Sequence, residues 1–190
     1  MIGRREFLLS ATLATAATAL PMPAAAATQK TVRLPRKFRP QIVSVPETLP
    51  EGEIHVMPDE HLLFWTLGAG KARRYGIAVG APGRNFKGVA HVRRKAEWPS
   101  WTPTADMIRQ EPNVYAKWKN GLPGGHEKNP LGARALYLYQ GNRDTLYRIH
   151  GTPQPWTIGR SFSSGCIRLQ NEHVVELYDH VPLGTKVVVY

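Results

Sequence analysis

A mainly β domain carrying one amphipathic helix is the fold class the chain predicts, and three observations lead there. Short runs rich in Val, Ile, Leu, Tyr and Phe recur from Gln41 to Tyr190, most of them bounded by Gly, Pro or Asn. The 17 glycines and 16 prolines favour many turns over long helices. Clear helical periodicity occurs once, where Val174, Leu177, Tyr178 and Val181 fall at i, i+3, i+4 and i+7. At 190 residues, 42% hydrophobic and 21% charged, the chain has the length and composition of one globular domain.

The elements follow in order. Thr28 to Gly52 is polar and punctuated by Pro35, Pro40, Pro46 and Pro50, so 28–51 is expected to be an extended tether, with a short strand at Gln41 to Val45. The folded domain is expected over 52–190. Glu53 to Met57 and Leu62 to Leu67 read as strands joined at Pro58-Asp59-Glu60-His61, and Arg73 to Val79 continues the pattern after Gly68-Ala69-Gly70. Ala81-Pro82-Gly83 turns the chain into a strand at Lys87 to Arg94. Pro103 to Gln110 is expected to form a short helix, and Pro112 to Pro130, rich in Gly, Pro and Asn, a loop. Strands resume at Ala135 to Tyr139 and Thr145 to His150 around a Gln140-Gly141-Asn142 turn. Asn171 is the expected N-cap of the amphipathic helix, Pro182 to Gly184 ends it, and Thr185 to Tyr190 closes the domain as a strand. The sum is a mostly antiparallel β domain.

The first 27 residues are set apart as an export signal. Paired arginines, Arg4 and Arg5, precede Phe7-Leu8 and an apolar run to Leu20, then Pro21-Met22-Pro23 and the small residues Ala24 to Ala27. That order of basic, apolar and small-residue regions, with its twin arginine, resembles a Tat-type leader. The folded part is therefore expected outside the cytoplasm, with membrane contact only through an uncleaved signal. A formal net charge of +11 suits an anionic surface such as cell wall, while export and the lack of a zinc-finger or RNA-recognition signature argue against nucleic acid.

Chemistry concentrates around Cys166, the only cysteine, in Ser163-Ser164-Gly165-Cys166-Ile167-Arg168-Leu169. An unpaired thiol in an oxidising compartment is either buried or used. Sixteen positions earlier His150 ends a strand-like run, Tyr147-Arg148-Ile149-His150-Gly151-Thr152. A thiol attacks well only as thiolate, so a strand-terminal base brought back to it by a Gly-rich return is the pairing that nucleophilic catalysis needs. The remaining histidines (His55, His61, His91, His126, His173, His180) show no metal-ligand spacing. Trp98, Trp101, Trp118 and Trp156 are expected as core or cleft walls.

Ile149-His150-Gly151-Thr152 followed by Ser164-Gly165-Cys166-Ile167-Arg168-Leu169 resembles the signature of the L,D-transpeptidase catalytic domain, also called the YkuD domain. Asn129-Pro130-Leu131-Gly132-Ala133-Arg134 and the terminal Gly184-Thr185 with its β run resemble that family too. Many relatives carry His where this chain has Ser164. The resemblance implies an antiparallel β-sandwich or barrel with one helix after the cysteine. It implies Cys166 as nucleophile, and His150 as the base whose imidazolium stabilises the thiolate. The Gly151 carbonyl would orient the ring, as an Asp side chain does in other triads. Gly165, beside Cys166 and Ser164, would contribute to an oxyanion hole. Arg168 would hold a substrate carboxylate through two parallel hydrogen bonds, or else pair with Glu172 or Glu176.

The activity so implied is acyl transfer on peptidoglycan stem peptides through a cysteine thioester, needing no cofactor and no metal. It would form crosslinks or anchor an envelope protein acting as acyl acceptor. Two other readings stay open. The same Cys–His site could hydrolyse stem peptides as an L,D-carboxypeptidase or endopeptidase, or the domain could be a non-catalytic basic wall-binding protein.

Overall fold

The computed structural model describes residues 32–190; the expected export signal, 1–27, lies outside them. Eleven strands are described: β1 (Gln41–Ser44), β2 (Ile54–Met57), β3 (Leu62–Gly68), β4 (Lys71–Gly76), β5 (Val79–Gly80), β6 (Gly88–Glu97), β7 (Arg134–Gln140), β8 (Arg143–His150), β9 (Ser161–Ser163), β10 (Ile167–Arg168) and β11 (Lys186–Val189). Three α-helices accompany them, α1 (Ala105–Gln110), α2 (Pro112–Tyr115) and α3 (Asn171–His180). Nine strands form one sheet in the order β1-β4-β3-β2-β11-β6-β7-β8-β10, and β5 pairs with β9 in a small second sheet.

The mainly β expectation holds, but the sheet is mixed rather than purely antiparallel. β11 runs parallel to β2 and antiparallel to β6, so the last strand is inserted between the two halves of the sheet. β10 runs parallel to β8, and β9 to β5. A parallel neighbour requires a crossover of a dozen or more residues, which is the physical reason for the long interval between His150 and Cys166.

The alternation of side chains builds the core. Ile54, Val56, Leu63, Ala90, Val92, Leu136, Leu138, Ile149, Val187 and Val189 point inward from the sheet and are almost wholly buried. α3 packs on β7 and β8 and adds Val174 and Leu177 from its apolar stripe, followed by Val181 just beyond its end. Complete burial of each such aliphatic side chain contributes roughly 1.5–3 kcal/mol.

Several elements depart from the expectations. Residues 41–44, within the stretch expected to be a tether, form the edge strand β1 along β4, and Leu34 is buried with Ala78 and Ile158. The expected strand from Arg73 to Val79 is split: β4 stops at Gly76, where a Cβ would strike Phe38, and β5 joins the small sheet. Inside the expected loop 112–130 the chain makes α2, whose Pro112 starts the first turn, and a 3-10 turn at Ala116–Trp118. Asn171 is not the N-cap of α3; Gln170 is, and Asn171 opens the helix. Its Oδ1 is taken instead by the Ala133 N–H at 3.0 Å, which ties α3 to the entry of β7.

Candidate active site

The parallel pairing of β8 and β10 sets the geometry of the site. Ile167 lies beside Ile149 and Arg168 beside His150. Ile149 and Ile167 face the core, so the alternation sends His150 and Arg168 to the opposite face. Continuing the register one step back sets Cys166 beside Arg148, on the same face as His150. The sulfur lies 3.9 Å from the Leu146 carbonyl, and the Arg148 main chain also bonds to it. Cys166 is half-buried, whereas His150 is buried.

His150 is held from two sides. Its carbonyl accepts the Leu169 N–H at 2.8 Å, stitching β8 to the chain just after β10. Its Nδ1 lies 2.6 Å from the Gly151 carbonyl, which can only accept, so Nδ1 carries the proton and Nε2 the lone pair. Gly151 is needed where it stands: a Cβ there would run into Asn171 Oδ1 and crowd the Ala133 nitrogen and Val174. Gly132, at φ +64°, backs the same spot from the other side. The expected orienting carbonyl is thus packed against α3 and the start of β7.

The turn before the nucleophile is equally constrained. Ser163 Oγ donates to the Cys166 carbonyl at 2.8 Å and accepts the Gly165 N–H at 3.2 Å. That N–H, expected in the oxyanion hole, is engaged inside the turn in this arrangement. Gly165 sits at φ +129°, where a Cβ would press on the Tyr147 ring and the Arg84 carbonyl. Ser164 is exposed and its Oγ lies 3.2 Å from the Tyr115 hydroxyl on α2. The adjoining Arg84–Glu111 ion pair, 2.8 Å, ties the 81–87 loop to the residue joining α1 and α2.

Arg168 takes neither of its expected carboxylate partners through a described ion pair; Glu176 pairs with Arg73 at 2.8 Å. Its guanidinium lies over the Phe162 ring, 4.7 Å from the centroid, and its Nε is buried without a hydrogen-bond partner. Burial lowers its pKa, opposed by the neighbouring Cys166 and Tyr115. A guanidinium with an unpartnered Nε near the Cys166 thiol suits an anionic ligand group.

Protonation at rest differs from the expected ion pair. Burial, then the charge of Arg168, pushes His150 down to about 3 against the pull of the Gly151 carbonyl. Burial raises the Cys166 thiol, opposed by the Arg148 main chain and the charges of Arg148 and Arg168, with Asp144 adding to the rise. Both groups are therefore neutral near pH 7. The physical reason is burial, which makes both a thiolate and an imidazolium costly; the two guanidinium groups add to the cost of the imidazolium and only partly offset that of the thiolate. With both groups neutral, a transfer of the thiol proton to His150 would accompany attack, the general-base pattern rather than that of a preformed ion pair.

Comparison with known proteins shows the family. The model of the L,D-transpeptidase catalytic domain, YkuD, matches residues 51–189. The chain belongs to the L,D-transpeptidase catalytic-domain family. A probable L,D-transpeptidase of Salmonella typhimurium, ErfK/SrfK, is 36% identical over 153 residues, covering 78% of this chain and 47% of that protein. The chain spans about half the length of the curated relatives it first matches. Among solved structures, a Brucella melitensis chain described as a probable carnitine operon oxidoreductase is 51% identical, with a TM-score of 0.57 over 83% of this chain and 96% of that one. An L,D-transpeptidase from Mycobacterium smegmatis shares the fold at 16% identity, with a TM-score of 0.53 over 72% of this chain and 57% of that one.

Some residues at the site were not singled out from the sequence. Arg148, two positions before His150, shares its face of β8, and its charge acts on the sulfur; strand alternation from His150 was a signal that could have found it. Tyr115 and Arg84 reach the site from distant segments and carry no local signal, while Tyr147, on β8 itself, sets its ring against Gly165. Trp101 packs against Tyr115 in a tilted pair at 6.2 Å, and His126 packs edge-on against Trp118 at 6.3 Å. Trp98 and Trp156 are exposed, so neither is a core residue. Among the described residues, no group of three His, Cys, Asp or Glu is placed to hold a metal ion.

Proposed function

We propose that the protein is an L,D-transpeptidase acting on peptidoglycan stem peptides in the cell envelope, outside the cytoplasm. The observation that carries this reading is the pairing of β8 with β10. It brings Cys166 to the face on which His150 holds its Nδ1–H against Gly151, 2.6 Å away, leaving Nε2 to accept a proton. Family membership supplies the substrate class.

In the first step His150 takes the thiol proton as Cys166 Sγ attacks the carbonyl of the L-centre of the third-position diamino acid. The S–C bond forms, the amide C–N bond to the terminal D-alanine breaks, and His150 returns the proton to the departing amine. An amine of a second stem peptide, or of an envelope protein, then attacks the thioester, loses its proton to His150, and releases Cys166 as a thiol. The Arg168 guanidinium, short of protein acceptors, would bind a stem-peptide carboxylate. The leader-like segment 1–27 and the net charge of +11 support export toward an anionic wall.

Intact-mass analysis after incubation with a stem tetrapeptide tests the reading. The parent protein should gain an acyl group on Cys166, while His150→Ala should gain almost none. Absence of the adduct from the parent protein would overturn the proposal. In a muropeptide pool, newly linked dimers mark transfer, whereas shortened monomers alone would mark hydrolysis by the same site.

A further inference from the structure

One row of side chains runs across three strands toward the nucleophile. Arg94 on β6 pairs with Tyr137 on β7, and Tyr137 pairs with Arg148 on β8. The register between β8 and β10 extends that row to Cys166. The Tyr137 ring is sandwiched between two guanidinium groups, Arg94 at 4.4 Å and Arg148 at 4.3 Å from its centroid. Arg148 is clamped further by two hydrogen bonds to Asp144, at 2.7 and 2.9 Å, and by one to the Tyr147 carbonyl at 2.9 Å. Its side chain is only 13% exposed.

That much restraint is unusual for an arginine whose only task is solubility. A surface pair gains little from such geometry, because two long side chains lose freedom to hold it. Here the guanidinium is fixed on the residue whose strand position lies next to Cys166, near enough for its charge to act on the half-buried sulfur, where a charge acts more strongly than in water. We propose that Arg148 is a positioning residue for the nucleophile: clamped between Tyr137 and Asp144, it supplies a fixed positive field that stabilises the charge developing on Cys166 sulfur as the proton leaves.

The inference rests on Cys166 being the nucleophile and goes further by assigning a role to Arg148. Every charged or titratable group near the sulfur enters the balance. From β8 these are Arg148, Asp144 and His150; from β10 itself, Arg168; from α2, Tyr115 through Ser164; and beyond Gly165, the Arg84–Glu111 pair. Arg148 and Asp144 act on the sulfur with opposite sign although they form one ion pair. That opposition separates an electrostatic role from a structural one.

The test follows the rate of Cys166 alkylation by iodoacetamide against pH in the full chain, which needs no peptidoglycan. Arg148→Gln should slow alkylation at pH 7 by about threefold, since a roughly tenfold loss of thiolate is partly offset by the greater nucleophilicity of a more basic sulfur. Its pH profile should move upward. Asp144→Asn should speed alkylation and move the profile downward, and Arg148→Lys, which keeps the charge, should stay close to the parent. Should Arg148→Gln fail to fold, Asp144→Asn and Arg148→Lys still decide the matter. A profile unchanged in a folded Arg148→Gln, or one moved upward or left unchanged by Asp144→Asn, overturns the proposal. Because the probe is a small alkylating agent, a protein that fails to acylate on a stem peptide can still pass this test, and the two failures are distinguishable.

Discussion

The neutral state of His150 has a consequence for stability that can be worked through to a number. Its pKa is pushed from 6.5 down to about 3 in the folded protein, chiefly by burial. As pH falls below 6.5 the unfolded chain takes up a proton at this position and the folded chain does not, so acid favours unfolding. The contribution is fully present above pH 6.5 and is lost progressively down to about pH 3. The slope approaches 1.4 kcal/mol per pH unit, and integration from pH 7 to pH 4 gives about 3 kcal/mol. Urea unfolding followed by tryptophan fluorescence, for the parent and for His150→Gln at both pH values, isolates this residue. His55, His61 and His173 are also lowered by burial, but they are present in both proteins and cancel in the difference. The stability of the parent relative to the variant should fall by about 3 kcal/mol between pH 7 and pH 4. A difference that stays constant across that range would mean that His150 titrates alike in the folded and the unfolded chain, and the account of a buried, neutral imidazole would fail.

Two substitutions test the packing that supports the site. Gly151→Ala places a Cβ against Asn171 Oδ1 and the Ala133 nitrogen, so it should cost about 1–3 kcal/mol by urea titration. It should also displace the carbonyl that orients His150 and reduce acylation in the folded fraction. Leu177→Ala removes a fully buried side chain between α3 and the sheet. It should cost about 2–5 kcal/mol in the same titration, with the alkylation profile of Cys166 unchanged in the protein that remains folded.

Much of the molecule was legible in the chain because its strongest signals are local. The strands around Leu62–Gly68, Arg134–Gln140 and Arg143–His150 announce themselves by β-branched and aromatic runs between turn residues. The helix Asn171–His180 shows its apolar stripe directly. Local signals failed where a partner segment decided the outcome. The short strand at Gln41–Ser44 was legible, but not that it docks on the open edge of β4 instead of standing in a free tether. Asn171 has the chemistry of an N-cap, but Ala133 N–H competes for its oxygen. The run from Arg73 to Val79 reads as continuous, yet Gly76 must let Phe38 pass and the chain changes sheets.

By itself the sequence determined the family and singled out the candidate pair and their separation along the chain, since a lone cysteine, a strand-ending histidine and the residues around them are all chemical identities and spacings. The protonation state, the clamp on Arg148 and the engagement of the Gly165 N–H were decided only by the tertiary structure. The physical reason is that each depends on burial and on groups brought together by the fold: Arg168 beside His150 across a parallel register, Tyr137 under a guanidinium from the next strand, and Asp144 fixing that guanidinium. No linear spacing carries a dielectric environment.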